Sequence, residues 1–203
     1  ISGASLKILE QLNSKDIHIL FVKPDTSLLT EVGRTQNKIV FQILQQFARS
    51  AMFKRLFVVH NSKLRDIIKN VPVVGYYKKL NELIVSTIHM LNIFDNTRPE
   101  INTFSASTST ARISTFGLME LETGEEKLFY DLEMCREKRL YYSIKRKQLA
   151  EDGELLNKII EQVKSYNNNN VKASYGIYGN EYDQNYVYSL SNSTLIQEQV
   201  LTD

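Results

Sequence analysis

Two polar side chains open a strongly apolar stretch near the middle of the sequence, and their spacing suits recognition of a flat ring. Tyr77 and Asn81 are four residues apart, so they share one side of a helix if this stretch is helical. A tyrosine ring can stack on a heterocycle, while an asparagine amide reads its edge with one donor and one acceptor. The alternative interpretation is an amphipathic helix whose first turn is polar.

The residues that follow predict the helix that would hold this pair. Apolar side chains recur at helical spacing and indicate one buried face. They are Leu80, Leu83, Ile84, Ile88 and Leu91. We therefore expect Tyr77 and Asn81 at the entrance of a buried helix.

Small residues at the start of the sequence suggest a place for an anion. Ser2, Gly3, Ala4 and Ser5 precede a short helical pattern. Small residues before a helix N-terminus let backbone amides approach a phosphate, helped by the helix dipole. An ordinary N-cap is the alternative.

Strands and helices alternate over the first half of the chain. Apolar runs predict strands at residues 17–22 and 56–59, the first of them covered on both faces. A helix is predicted between them at residues 32–47, and the helix of Tyr77 follows. Strand, helix, strand and helix with short connections indicate an α/β fold with a parallel sheet.

Polar residues follow both of these strands. Asp25, Glu31 and Arg34 come after the first strand, and Asn61 comes directly after the second. Ligands of parallel sheets bind at the carboxyl ends of the strands. We therefore expect these side chains to converge with Tyr77 at one edge of the sheet, although each one alone also fits an ordinary polar loop.

The second half of the sequence is richer in strands and in tyrosine. Its predicted strands are residues 113–119, 141–144, 171–178 and 185–190, the last two antiparallel. Its predicted helices are residues 125–140, with Leu128, Leu132 and Cys135 inward, and residues 155–163. Thr97 to Glu100 also fits a capping box that opens a helix, with Pro99 in the first turn.

Composition excludes several classes of protein and site. The net charge of +2 argues against a dedicated nucleic-acid binder. The single cysteine, Cys135, excludes an internal disulfide and a multi-cysteine metal site. His18, His60 and His89 are scattered, so no metal cluster or nucleophile–base pair can be assembled. No stretch predicts a membrane span or a signal peptide, so we expect a cytoplasmic protein without membrane contact.

In this order the motifs resemble the tubulin/FtsZ superfamily over nearly the whole chain, in particular the divergent TubZ- and PhuZ-like proteins of plasmids and bacteriophages. The most specific match is Tyr77 and Asn81, which resemble the tubulin signature whose tyrosine stacks on guanine and whose asparagine reads its edge. Asn61 resembles the asparagine that touches the base, and Glu31 and Arg34 resemble the ribose-contacting residues. Ser2, Gly3 and Ala4 resemble the tail of the glycine-rich phosphate signature.

The resemblance implies a tubulin-like fold in three parts. Residues 1–77 would be the last part of a Rossmann-like GTP-binding domain, residues 78–98 the central helix and its loop, and residues 99–203 an α+β C-terminal domain. Because the sequence begins with Ile1 rather than Met, we expect most of the phosphate-binding half to precede it.

The resemblance also implies a function. It predicts GTP or GDP with Mg²⁺ as cofactors and a head-to-tail homopolymer, with a cargo adaptor or a phage or plasmid component as a further partner. Glu100 matches the acid that completes the nucleotide site of the next subunit, and Asp95 can replace the family's second acid, whose position is Thr97 here. The alternatives are a tubulin-like scaffold that does not hydrolyse nucleotide and an unrelated α/β enzyme.

Overall fold

The computed structural model describes residues 7–9, 11–12 and 16–197 of the chain. Its strands are β1 (His18–Lys23), β2 (Arg55–His60), β3 (Ile113–Met119), β4 (Glu126–Leu128), β5 (Cys135–Lys145), β6 (Lys172–Asn180) and β7 (Tyr186–Ser193). Its helices are α1 (Glu31–Arg49), α2 (Asn61–Ile68), α3 (Tyr76–Asp95), α4 (Arg146–Glu151) and α5 (Leu155–Asn168). This architecture confirms the predicted α/β class.

All seven strands belong to one sheet. Its order is β1-β2-β3-β7-β5-β6, and β4 pairs with β3 beside this row. The first three strands are parallel, β7 is antiparallel to both of its neighbours, and β6 is parallel to β5. The two last strands therefore run in opposite directions as predicted, but β5 lies between them. The predicted division of the chain at residues 77 and 98 stays a prediction.

Local sequence explains where the helices of the first half begin. The hydroxyl of Thr30 accepts a hydrogen bond from the backbone N–H of Gly33 at 3.2 Å and caps α1. Gly75 precedes α3 with a φ of +81°, a left-handed conformation that glycine adopts without steric cost. The predictions of a helix at residues 32–47 and of a helix that carries Tyr77 were thus correct. In the structure, both helices extend a little beyond the predicted ends.

Helix α3 packs on one face of the sheet over its whole length. Its buried side chains are Leu80, Ile84, Thr87, Leu91 and Phe94. The four apolar ones share one core cluster with residues of β2, β3, β5, β6 and β7, including Val59, Phe116, Tyr141, Tyr178 and Leu190. Because this core spans nearly every strand, α3 is fixed relative to the sheet. Among the described helices, none combines the length and the apolar composition that a membrane-spanning helix requires.

Three local predictions were wrong. The helix at residues 125–140 is instead β4, a loop and the start of β5, because β5 pairs with β6 on one side and β7 on the other. No helix begins at Thr97. Its hydroxyl donates to Ile93 O at 2.8 Å, so the predicted capping box is not formed. Strand β1 is an edge strand with Leu20 40% exposed, so it is not covered on both faces.

Candidate functional site

The carboxyl ends of β1 and β2 lie at the same edge of the sheet, as the sequence predicted. The two strands are parallel, with Lys23 beside His60 at their last residues. The His60 side chain contacts the chain segments that follow both strands. Nε2 of His60 lies 3.2 Å from Pro24 O, and Nδ1 lies 3.0 Å from the hydroxyl of Ser62.

A buried carboxylate fixes the loop after β1 to helix α2. Asp25 is only 7% exposed, and it accepts bonds from the backbone N–H and the hydroxyl of Ser27 at 3.0 and 2.6 Å. Its other oxygen accepts a bond from Nη1 of Arg65 at 2.6 Å. The Ser27 hydroxyl, and to a smaller extent the Ser27 backbone and Arg65, lower the pKa of Asp25 despite its burial. The carboxylate therefore stays charged and holds the guanidinium in place.

Three of the predicted polar residues lie at the starts of two helices. Asn61 is the first residue of α2 and is buried. Glu31 and Arg34 lie on the exposed first turn of α1, which the Thr30 cap fixes. The structure thus supplies one buried amide at the strand edge, and one exposed acid and one exposed base on the helix that follows β1.

The predicted ring-recognition pair is exposed at the entrance of α3. The Tyr77 side chain is 61% exposed, and Asn81 is exposed one turn further on. The ring of Tyr76 packs edge-to-face against that of Tyr77, with the centroids 5.2 Å apart and the planes at 85°. Tyr77 therefore exposes its ring to solvent, while Tyr76 packs against one side of that ring.

Tyr76 and Arg65 belong to this edge, although the sequence interpretation did not include them. The hydroxyl of Tyr76 is buried and has no hydrogen-bond partner in the part of the chain that the structure describes. It lies near enough to Arg65 to contribute to the raised pKa of that guanidinium, whose main cause is Asp25. A signal for Arg65 was available, because it lies four residues after Asn61 on the same side of α2.

The two predicted acids lie at the other end of α3. This helix has 20 residues, and Asp95 is its last. At 1.5 Å per residue, Asp95 is about 27 Å from Tyr77. Glu100 lies beyond it, and its Oε1 is 3.3 Å from Nη1 of Arg146. Within one chain, these acids and Tyr77 cannot act on the same ligand.

Each of the two acids has a partner in the described structure. The hydroxyl of Tyr141 donates to Oδ1 of Asp95 at 3.0 Å. Burial, and next the charge of Asp95, raise the pKa of Tyr141, so the hydroxyl remains a donor. The ion pair of Glu100 with Arg146 is solvent-exposed, with 54% and 59% of the two side chains accessible. Such a pair contributes little stability, and the Glu100 carboxylate can leave it at small cost.

The donor set fits only part of a purine nucleotide. The exposed tyrosine ring and the two asparagine amides suit a purine ring, and the glutamate and the arginine suit the ribose. Ser2, Gly3 and Ala4, the residues predicted for the phosphates, lie outside the described residues. Among the residues that are described, no group of three histidine, cysteine or acidic side chains could hold a metal ion.

Comparison with solved structures identifies the fold. The sequence matches no protein-family model and no curated protein. The structure, however, is similar to a GTPγS-form protofilament of Bacillus thuringiensis serovar israelensis TubZ, with a TM-score of 0.70 and 14% identity over 94% of this chain and 57% of that one. It is also similar to the W319Y mutant of M. jannaschii FtsZ, with a TM-score of 0.67 and 16% identity over 96% and 61% of the two chains.

A third similar structure is a TubZ of type III plasmid segregation, with a TM-score of 0.62 and 16% identity over 97% of this chain and 60% of that one. These matches confirm the predicted tubulin/FtsZ-like fold. The chain spans about three-fifths of the length of these structures. At such low identity, the similarity concerns the fold alone.

Proposed function

On the basis of its tubulin/FtsZ-like fold, we propose that this protein is a GTP-binding cytoskeletal protein that polymerises head to tail and hydrolyses GTP between subunits. The observation that carries the proposal is the placement of two half-sites at opposite ends of α3. Tyr77 and Asn81 stand at its start, and Asp95 and Glu100 stand at and beyond its end. A ligand bound at the first half-site meets the acids only if a second chain brings them.

The first half-site would bind the nucleotide. Tyr77 stacks on the guanine, while the amides of Asn81 and Asn61 contact its polar edge. Glu31 and Arg34 contact the ribose, with the carboxylate accepting from its hydroxyls. The backbone amides of Ser2, Gly3 and Ala4 would hold the phosphates, and Mg²⁺ would neutralise part of their charge when bound.

The surface of the molecule supports an asymmetric contact between copies. Val73 and Val74 precede Gly75 and the start of α3, and they are 93% and 90% exposed. The exposed Tyr77 follows three residues after Val74. At the other end of α3, Ile93 and Ile101 are 40% and 41% exposed. Two different apolar surfaces at opposite ends favour a heterologous interface, and such an interface builds a filament when it does not close.

The second half-site would act on the nucleotide of the neighbouring subunit. The carboxylate of Glu100 orients the attacking water and accepts its proton, and Asp95 adds a second negative charge beside it. Hydrolysis is then slow in the monomer, because half of the site is absent there. We place this activity in the cytoplasm, with a cargo adaptor or a phage or plasmid component as the filament's further partner.

One observation favours a second candidate function, a tubulin-like scaffold that assembles without hydrolysis. Both acids already have partners in the single chain, Asp95 with Tyr141 and Glu100 with Arg146. Thr97 stands where the resemblance places a second acid. If these contacts persist in the filament, nucleotide would bind without being turned over.

Sedimentation with GTP or GDP, together with measurement of phosphate release, tests the proposal. The wild-type protein should pellet with GTP and release phosphate only at concentrations that support pelleting. The Glu100→Ala variant should bind GTP and pellet while phosphate release falls at least tenfold. Undiminished phosphate release in this variant would refute the catalytic role, and release in neither protein would favour the scaffold.

A matched control is available on the same ion-pair network. Oε1 of Glu181 lies 2.8 Å from Nε of Arg146, so Glu181 shares the partner of Glu100. Its side chain is 82% exposed. The Glu181→Ala variant should therefore retain both assembly and phosphate release, which separates loss of the acid from loss of an Arg146 contact.

A further inference from the structure

A cleft of about 620 Å³ opens at the sheet edge opposite the nucleotide half-site. It lies over the first residues of β1 and β2, His18 and Arg55, and reaches the face of β3, β5 and β7. The last two turns of α3, including Leu91 and Asp95, form its other wall. The cleft is therefore a separate feature of the molecule from the surface around Tyr77.

Positive charge is concentrated in this cleft. Among the described residues, its lining includes Arg55, Arg139 and Lys54 against one carboxylate, that of Asp95. Lys54 is also paired with Asp16 at 3.3 Å, so the two arginines carry most of this charge. Burial, and then the charge of Arg139, lower the pKa of Arg55, so the two guanidinium groups repel each other. Within the described part of the chain, neither of them has a carboxylate oxygen within 4.0 Å. A partly buried arginine pair without a close counter-ion is electrostatically incomplete.

Both arginines donate hydrogen bonds to neutral groups. Nη1 of Arg55 donates to Oδ1 of Asn192 at 3.0 Å, and Nη2 of Arg139 donates to the hydroxyl of Ser107 at 3.0 Å. Asn192 is fully buried, and its Nδ2 has no hydrogen-bond partner among the described residues. The nearby charge of Glu137 also attracts Arg55 without an ion pair between them. Oε1 of Glu137 accepts from the backbone N–H of Thr108 at 2.6 Å, and its Oε2 has no hydrogen-bond partner among the described residues. The arginines therefore keep donors available for a ligand.

The rest of the lining is apolar and partly aromatic. It is formed by Leu20, Phe57, Ile88, Leu91, Phe116 and Leu190. The rings of Phe57 and Phe116 are stacked, with centroids 5.0 Å apart, and give this wall a flat section. A ligand that fits the cleft thus needs a flat or branched apolar body as well as a negative charge.

We propose that this cleft binds a small organic anion, one carboxylate or sulfonate group on an aromatic body, with its charged group between Arg55 and Arg139. The planar guanidinium groups donate paired hydrogen bonds to the oxygens of the anion. Its aromatic body lies against Phe57 and Phe116 and leaves water with the apolar lining. Binding at this site needs neither nucleotide nor a second chain, and the cleft shares only Asp95 with the residues proposed above for hydrolysis.

The probe for this site is 8-anilinonaphthalene-1-sulfonate, an aromatic sulfonate whose fluorescence rises on binding. Its neutral counterpart, N-phenyl-1-naphthylamine, has the same aromatic body without the charge. The wild-type protein should bind the sulfonate saturably at one site. Arg55→Gln and Arg139→Gln should each raise its Kd about tenfold or more, the loss expected for one charged hydrogen-bond partner. Binding of the neutral amine should change less than about twofold in both variants.

Arg136→Gln is the matched control, because Arg136 is an exposed arginine of β5 that does not line the cleft. It should leave the Kd of the sulfonate unchanged. If Arg55→Gln does not fold, as judged by circular dichroism, Arg139→Gln decides the question. The Arg139 side chain donates to Ser105 O and to the Ser107 hydroxyl in the loop before β3, and it also contacts Tyr141. Equal sulfonate affinity in the wild type and Arg139→Gln would mean adventitious apolar binding only and would overturn the proposal.

Discussion

The Asp25→Asn substitution tests whether a buried carboxylate stabilises the strand-end edge, the sheet edge at the carboxyl ends of β1 and β2. Asp25 accepts three hydrogen bonds, two from Ser27 and one from Arg65. The asparagine keeps the size of the side chain and one acceptor oxygen, but it loses the charge and replaces the second acceptor by a donor facing another donor. We estimate the lost free energy from the Ser27 bonds alone. The Arg65 bond is left out because the Arg65 side chain is 44% exposed and solvent screens its charge. The variant should lose about 1–2 kcal/mol of unfolding free energy.

Asp66→Asn is the matched comparison, because Asp66 pairs with the same arginine. Its Oδ1 lies 3.7 Å from Nε of Arg65, and its side chain is 66% exposed. An exposed, long ion pair contributes little, so we expect a change below about 0.5 kcal/mol. Urea unfolding followed by circular dichroism measures both values. Equal losses in the two variants would refute the reasoning that burial makes Asp25 important.

The pH dependence gives an independent reading of the same group. The pKa of Asp25 is lowered in the folded protein, whereas an unfolded aspartate has a pKa of about 3.9. Its charge therefore stabilises the fold fully above the unfolded pKa, and this contribution is lost as the pH falls through the lower, folded pKa. The stability difference between wild type and Asp25→Asn should be largest near about pH 6 and should shrink steadily below about pH 4. A difference that stays constant down to about pH 2 would contradict this account.

Two further predictions concern the proposed assembly. Tyr77→Ala should weaken GTP binding about tenfold, because a stacked aromatic pair contributes about 0.5–1.5 kcal/mol beyond its buried area. Fluorescence of an N-methylanthraniloyl-labelled nucleotide measures the binding. Tyr77→Phe should bind nearly as well as the wild type, and equal binding by the alanine variant would exclude stacking. Val73→Ser combined with Val74→Ser should raise the critical concentration for pelleting severalfold and leave GTP binding unchanged. The control Val85→Ser, at a 65% exposed position in the middle of α3, should change neither the critical concentration nor GTP binding.

Much of the strand-end edge was predictable because its signals are local. The strands β1 and β2 are short apolar runs, α1 begins at a threonine cap, and the apolar face of α3 recurs at helical spacing. Parallel pairing then places the ends of both strands at one edge without further information. Tyr76 was missed because its role is a ring contact with Tyr77 and burial against the core, and neither is visible from spacing alone.

The misassigned start of β5 shows what local patterns miss. Leu128, Leu132 and Cys135 recur at helical spacing. In the structure, however, Lys138 of β5 is buried against Glu126, and Glu137 is buried against Thr108. Charges in a buried strand are stable only with such partners, and these partners come from other segments of the chain. The cleft arginines were missed for the same reason, since Arg55 and its partner Asn192 are 137 residues apart.

The rigidity of α3 favours completion of the nucleotide site by a second chain. One chain could bring Glu100 to Tyr77 only by breaking α3 and exposing part of its buried face. Leu80, Ile84, Leu91 and Phe94 each contribute about 1.5–3 kcal/mol through burial, or about 6–12 kcal/mol together. That sum is comparable to the whole stability of a typical domain, about 5–15 kcal/mol. A neighbouring copy can deliver the same carboxylate without exposing any of these side chains, so contact between subunits is the route with the smaller energetic cost.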